Sequence, residues 1–186
     1  MVGNDIVDLN LAKRQSNWQR EGFLEKQFTD KEQKVILNSD IPFLQVWLFW
    51  SMKEAAYKCY TQKCQGRFFS PKKFECKTLS ESEGVVAFDY EKYNVNYVIS
   101  DNYVHSIAFE KGSKKMVSEL FLIDKNVSQT KTTNQNLLSH FSSETKLHKN
   151  EFGIPYLYQN NQKLAVSIST SHHGNYGGFA FTLKNE

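Results

Sequence analysis

Apolar positions recur along this chain with two different periods, and the exchange between them lays out its elements. Residues 2–9 (VGNDIVDL) alternate as a strand does. Residues 30–38 (DKEQKVILN) predict a short helix opened by an acidic cap, and the proline at position 42 opens a long one running to about residue 61. Its apolar surface is broad. Phe43, Trp47, Trp50 and Tyr57, with Leu44 and Val46 beside them, bury it against a sheet and leave Lys53, Glu54 and Lys58 near one another at the polar edge. Two-residue alternation then returns over 73–78, 84–90, 93–100 and 103–110. Turn signals at Glu83-Gly84 and Asp101-Asn102 separate these runs and predict an antiparallel meander.

From residue 112 to about 149 the chain turns to Ser, Thr, Asn, Gln and Lys, with apolar islands at 120–123 and 137–141. A boundary belongs there. It divides the chain into a lobe over 1–112 and a smaller one over 113–186, whose first stretch, 113–133, reads as a linker. Residues 163–183 read as a hairpin turning around His173, Gly174 and Asn175. The fold class is α+β.

Composition narrows the partners. At 186 residues, 40% hydrophobic and 14% aromatic, the chain can bury a real core as one domain or two small lobes. Its 23 basic and 20 acidic side chains leave a formal charge of only +3, which supplies no global field for gripping nucleic acid. A basic cluster, Lys63, Arg67, Lys72 and Lys73, is interleaved with Phe68, Phe69 and Phe74. It suits a solvated loop as well as it suits contacts to phosphate or to an acidic partner. Cys59, Cys64 and Cys76 are odd in number and clustered, with no signal peptide ahead of them, and point to packing thiols in a reducing cytoplasm. Zinc would need a second, regularly spaced ligand pair. No apolar run approaches the roughly 20 residues of a membrane span, so the protein is expected to be soluble.

Strand alternation sorts the acids of the first segment. Asp5 shares a face with Val7 and Leu9, and Asp8 shares the other with Asn4 and Ile6, so the two aspartates do not line one site. Glu54 and Lys58, four apart on a helix, on their own make an ordinary surface pair of about 0.3–0.5 kcal/mol. Their flanks carry more. Gly3-Asn4-Asp5 is followed by Phe28-Thr29-Asp30-Lys31-Glu32, and then by a segment with Trp50, Lys53, Glu54, Ala55 and Lys58 at fixed spacing. Gly153-Ile154-Pro155 and Ser171-His172-His173-Gly174 come later. In these motifs the chain resembles the 4'-phosphopantetheinyl transferase superfamily, across most of 1–112 and 134–184.

Motif order follows that superfamily's short, holo-acyl-carrier-protein synthase class, while residues 66–110 and 134–184 look like parts of the two lobes of its long class. The resemblance implies antiparallel sheets each packed on a long helix in a two-lobe pseudo-dimer, a permuted and abridged form of the long class. A short-class protomer with an inserted meander is the competing architecture. Such an enzyme moves the 4'-phosphopantetheine arm of coenzyme A onto a serine of an apo acyl, aryl or peptidyl carrier protein. It uses Mg²⁺ and releases adenosine 3',5'-bisphosphate.

Carried over residue by residue, the resemblance assigns the metal to Asp5 and Glu54. Lys58 balances phosphate charge, with Lys53 a weaker candidate for the same work, and Pro155, Ser171 and His172 meet the coenzyme. Glu54 or a metal-bound water takes the serine proton. Three positions depart from the pattern. Val7 stands where the long class has a second acid, Ile154 where its Gly-x-Pro turn has a basic residue, and no arginine precedes Leu137 and Leu138. Lys146, Lys149 and Lys163 are available replacements. These departures keep a noncatalytic coenzyme A or carrier-protein binding module as the alternative. Lys13 and Arg14 suit the acidic surface of a carrier protein. A second lobe within the chain favours a monomer with an internal cleft over a dimer or the short-class trimer.

Overall fold

The structure, a computed structural model, describes residues 1–68, 70–112 and 115–183. β1 (Val2–Asp8) runs straight into α1 (Leu9–Gln15), because the Asp8 carboxylate accepts the Leu11 N–H at 2.9 Å and caps the helix. Leu9 therefore belongs to a helix, not to the strand. Next come α2 (Phe23–Gln27) and α3 (Asp30–Leu37). Thr29 accepts the Glu32 N–H while Glu32 accepts the Thr29 N–H, so α3 is capped by a hydroxyl and not by the acidic residue that the sequence suggests.

α4 (Pro42–Cys64) starts on Pro42 and ends where Gln65 turns left-handed at φ +50°. A 3-10 turn at Pro71–Lys73 leads into β2 (Glu75–Thr78), β3 (Glu83–Phe88), β4 (Glu91–Ile99) and β5 (Tyr103–Glu110). The antiparallel meander is present, and β1 joins it to give the order β1-β5-β4-β3-β2. α4 lies across this sheet with Val46, Phe49, Met52, Ala55 and Cys59 buried, and α2 and α3 add Phe23, Phe28 and Ile36 to the same core. One contact fixes the helix against the strand. A β-carbon on Gly3 would overlap the Ala55 carbonyl oxygen, so only glycine lets α4 rest on β1 beside Asp5.

β6 (Met116–Leu122) and the start of α5 (Gln129–Leu138) occupy the stretch that composition marks as a linker. Their polarity has a structural cause. β6 is an edge strand, and α5 buries only Thr133 and Leu137, so neither needs a long apolar run. β7 (Lys146–Lys149), β8 (Pro155–Gln159) and β9 (Gln162–Lys163) make a small sheet, and the hairpin of β10 (Ile168–His173) and β11 (Tyr176–Thr182) joins β6 in the order β10-β11-β6. Leu137, Leu157, Ile168, Phe179 and Phe181 form this half's own core.

The two halves meet along the outer edge of β1. Val2 N–H donates to Ser167 Oγ at 2.8 Å, Asn4 N–H to Ser169 Oγ at 2.9 Å, and Asp8 N–H to His173 Nδ1 at 2.9 Å. Asn4 Nδ2 donates to Ser171 Oγ at 3.0 Å. Residues 167, 169, 171 and 173 present one face of an extended segment, so their side chains replace the carbonyls of a backbone ladder. Among the described residues no helix is long and apolar enough to cross a membrane.

Candidate active site

Three side chains from β1 and α4 converge at this seam. Lys58 Nζ donates to Asp5 Oδ1 at 2.9 Å and to the Asn4 carbonyl at 2.9 Å. Glu54 lies one helical turn before Lys58, about 40° around the helix, on the same face. Burial pushes the Asp5 carboxyl above the usual carboxylate range, with the Lys58 ammonium pulling it back. Glu54 is pushed up to about 7, by burial first and the Asp5 charge second, against Lys58. Two carboxylates thus lie near one ammonium that pairs with Asp5 alone, in a partly desolvated site that a hard cation would stabilise. Val7 is buried in the core, and among the described residues no group of three or more His, Cys, Asp or Glu side chains is placed to hold a metal. Asp5 and Glu54 contribute carboxylate oxygens to this seam.

Among the described residues three larger cavities open around these side chains, besides a crevice of about 10 Å³ between Glu54, Lys53 and Phe68. Glu54 and Lys58 line a cleft of about 620 Å³ with Tyr57, Arg67, Phe68, Lys149, Phe152 and Pro155. Asp5 and Lys58 border a polar pocket of about 230 Å³ with Thr130, Thr133, Asn134, Lys149 and His172. On the other side, Asp5 and Glu54 edge a groove of about 420 Å³ lined by Phe23, Trp47, Trp50 and His173. The carboxylates stand where a cationic cleft, a polar pocket and an aromatic groove meet.

The far wall of the cleft is the Gly153-Ile154-Pro155 turn. Asn150 shapes it, its Oδ1 accepting the Phe152 N–H at 3.1 Å and the Ile154 N–H at 2.9 Å. Gly153 adopts φ +73°, and the Arg67 guanidinium fills the space a β-carbon there would take. A cation from the loop after α4 therefore stands at a turn that has no basic residue of its own. Of Lys63, Arg67, Lys72 and Lys73, Arg67 alone lines the cleft among the described residues. Lys63 pairs with Glu91 at 2.6 Å, and Lys72 reaches the Glu25 carbonyl at 3.2 Å. Phe69, grouped with them in the sequence, lies outside the described residues. In the sequence Arg67 is one of four clustered cations with no distinct place, and the uncharged Ile154 is the signal that a cation at this turn comes from elsewhere.

A family model described as the 4'-phosphopantetheinyl transferase superfamily matches residues 1–108. The chain belongs to this superfamily. Phosphopantetheinyl transfer to carrier proteins is the superfamily's chemistry, and the match spans β1 through most of β5, including Asp5, Glu54 and Lys58. Among solved structures, Thermotoga maritima holo-[acyl-carrier-protein] synthase (AcpS) is 14% identical with a TM-score of 0.46, over 87% of this chain and 83% of that one. An apo-ACPS structure from Chronobacterium ammoiniagenes is 18% identical with a TM-score of 0.38, over 97% and 93% of the two chains. A search of curated proteins returned no match.

Not every residue of the superfamily motifs lies where the sequence places it. Lys53 is a correction: it is 1% exposed, and its Nζ donates to Glu32 Oε2 at 2.9 Å, to Pro71 O at 3.0 Å and to Phe74 O. Five positions from Lys58, it points about 140° away around the helix, so it does not join Lys58 at one polar edge. Ser171 is buried, its hydroxyl turned to Asn4 in the seam. His172, the next residue, points the other way into the polar pocket, its Nε2 3.1 Å from Thr130 Oγ1. Burial, then the charges of Lys58 and Lys149, lowers its pKa. Pro155 opens β8 and lines the cleft.

Proposed function

We propose that this chain is a Mg²⁺-dependent enzyme of the holo-[acyl-carrier-protein] synthase type. It transfers 4'-phosphopantetheine from coenzyme A to a serine of an apo carrier protein and releases adenosine 3',5'-bisphosphate. The convergence of Asp5, Glu54 and Lys58 where three cavities meet carries this reading. Asp5 and Glu54 are the residues that would hold Mg²⁺, and the ion, when bound, supplies positive charge against the diphosphate. Lys58 commits two of its three N–H donors to Asp5 and Asn4 and keeps one for a phosphate oxygen in the cleft. Arg67 and Lys149 flank the same cleft for the adenosine-side phosphates, and Phe68, Phe152 and Pro155 offer apolar surface for the base. His172 donates to a phosphate from the polar pocket, with Ser171 behind it at the seam.

The carrier serine reaches the site from the aromatic groove of Phe23, Trp47 and Trp50. Its Oγ attacks the phosphorus that bears pantetheine, and the bond from that phosphorus to the adenosine phosphate breaks. Glu54, directly or through one water, accepts the serine proton. Residues 1–112 and 113–186 act as two lobes around one cleft, so a single chain is the complete unit. Free Cys59, Cys64 and Cys76 suit a reducing cytoplasm. The test is a mass measurement on apo acyl, aryl and peptidyl carrier proteins incubated with the protein, coenzyme A and Mg²⁺. Gain of one phosphopantetheine is expected; coenzyme binding without gain on any carrier would make the chain a noncatalytic binding module.

A further inference from the structure

Glu32 and Lys53 belong to two of the chain's motifs, yet neither lines the cleft, the polar pocket or the aromatic groove; Lys53 edges a crevice of about 10 Å³ with Glu54, Phe68 and Phe74. They form an ion pair of 2.9 Å with side chains 2% and 1% exposed. All three Lys53 N–H donors have acceptors, in Glu32, Pro71 O and Phe74 O. Glu32 Oε2 also takes the Thr29 N–H at 2.8 Å, and Oε1 takes the Cys76 N–H at 2.7 Å. The pair therefore joins α3, α4, the 3-10 turn and β2. Buried pairs stabilise poorly, because desolvating two charges offsets most of their attraction, so what this pair holds in place matters more than its strength.

It holds the end of one loop. The chain leaves α4 at Gln65 and enters β2 at Glu75, and between them Arg67 and Phe68 form one wall of the cleft. Phe68 stacks on Phe74 with ring centroids 6.0 Å apart. Lys53 binds the carbonyls of Pro71 and of that same Phe74, so the loop that carries Arg67 over Gly153 is tied down from beneath. We propose that Lys53, set by Glu32, is a positioning residue that fixes this loop so that Arg67 and Phe68 shape the coenzyme-facing wall. It acts on substrate binding and leaves the chemical step alone. What Arg67 binds rests on the function proposed above, whereas what Lys53 holds rests on the geometry alone.

The test replaces both charges at once, Glu32→Leu with Lys53→Met, an exchange of a buried pair for apolar side chains that folds commonly survive. In the free variant, amide deuterium exchange over 65–76 is expected to rise about tenfold while β1 and β5 keep their protection. The calorimetric Kd for coenzyme A should rise about tenfold, with kcat on an apo carrier held within about threefold. Arg67→Ala should weaken coenzyme binding in the native background and add little in the double variant, since both act through one wall. Unchanged loop exchange in the folded variant overturns the proposal. So does lost kcat with unchanged Kd, or full additivity with Arg67→Ala. Should the double variant not fold, Glu32→Gln, which keeps volume and an oxygen acceptor, takes its place: the same rise in loop exchange and in Kd is expected, and unchanged loop exchange again overturns the proposal. An unmodified protein that neither binds coenzyme A nor modifies a carrier would defeat the proposed function, and the exchange measurement would still decide the tether.

Discussion

Glu54 and Lys58, which taken alone would be an ordinary helix pair, stand beside Asp5, brought to them by the close approach of β1 to α4. Glu54→Gln is expected to lower carrier modification by roughly a thousandfold, about 4 kcal/mol of transition-state stabilisation, while the thermal midpoint stays within a few degrees. Near-native turnover in that variant would remove Glu54 from the site. Asp8 has a different task, capping α1 and accepting the Asn175 N–H at 3.0 Å. Asp8→Ala should lose about 1–2 kcal/mol in urea denaturation, and Asp8→Asn should leave metal-dependent turnover nearly intact. Alternation along VGNDIVDL was enough to separate these two aspartates. Lys53 was not legible in the same way, because a lysine beside polar neighbours reads as surface and its partner Glu32 lies 21 positions away.

Elements were legible where burial imposed a period. α4 and the meander repeat apolar residues because one face of each must meet the other, whereas β6 and α5 border a small core and look like linker. Between β1 and α4 the decisive residue carries no side chain at all. Gly3→Ala would drive a methyl into the Ala55 carbonyl and toward the Cys59 N–H, both backbone atoms that cannot step aside. We predict a loss of about 3 kcal/mol in chemical denaturation, with turnover falling too as Asp5 moves from Glu54. A neutral Gly3→Ala would mean that α4 can shift without disturbing the site.

At the scale of the whole molecule, acid should loosen the contact between the halves through His105 on β5. Its ring is 6% exposed and approaches Asn4 Nδ2 at 3.5 Å. Burial first, and the Lys58 charge second, lower its pKa from 6.5 to about 4. The unfolded chain therefore binds a proton between those values that the folded one refuses. This contribution is complete above pH 6.5 and is lost as pH falls toward 4, amounting to about 3 kcal/mol. His105→Gln should flatten that part of the stability profile measured by urea denaturation between pH 7 and pH 4; an unchanged slope would sink the assignment. Asp5 and His172 line one pocket within a single chain, so light scattering should give the mass of one chain at concentrations where turnover is full. Specific activity that falls on dilution would instead require a partner subunit.

The seam has a further consequence for how the chain can be divided. The outer edge of β1 is closed by serine and histidine side chains of the 167–173 segment, not by a backbone ladder. A fragment ending at residue 112 would bare the N–H groups of Val2, Asn4 and Asp8 along a five-stranded sheet. An uncovered edge of that kind recruits strands from other copies. Produced alone, the first half should aggregate edge to edge, and residues 167–173 then serve as a built-in chaperone that keeps the sheet from growing.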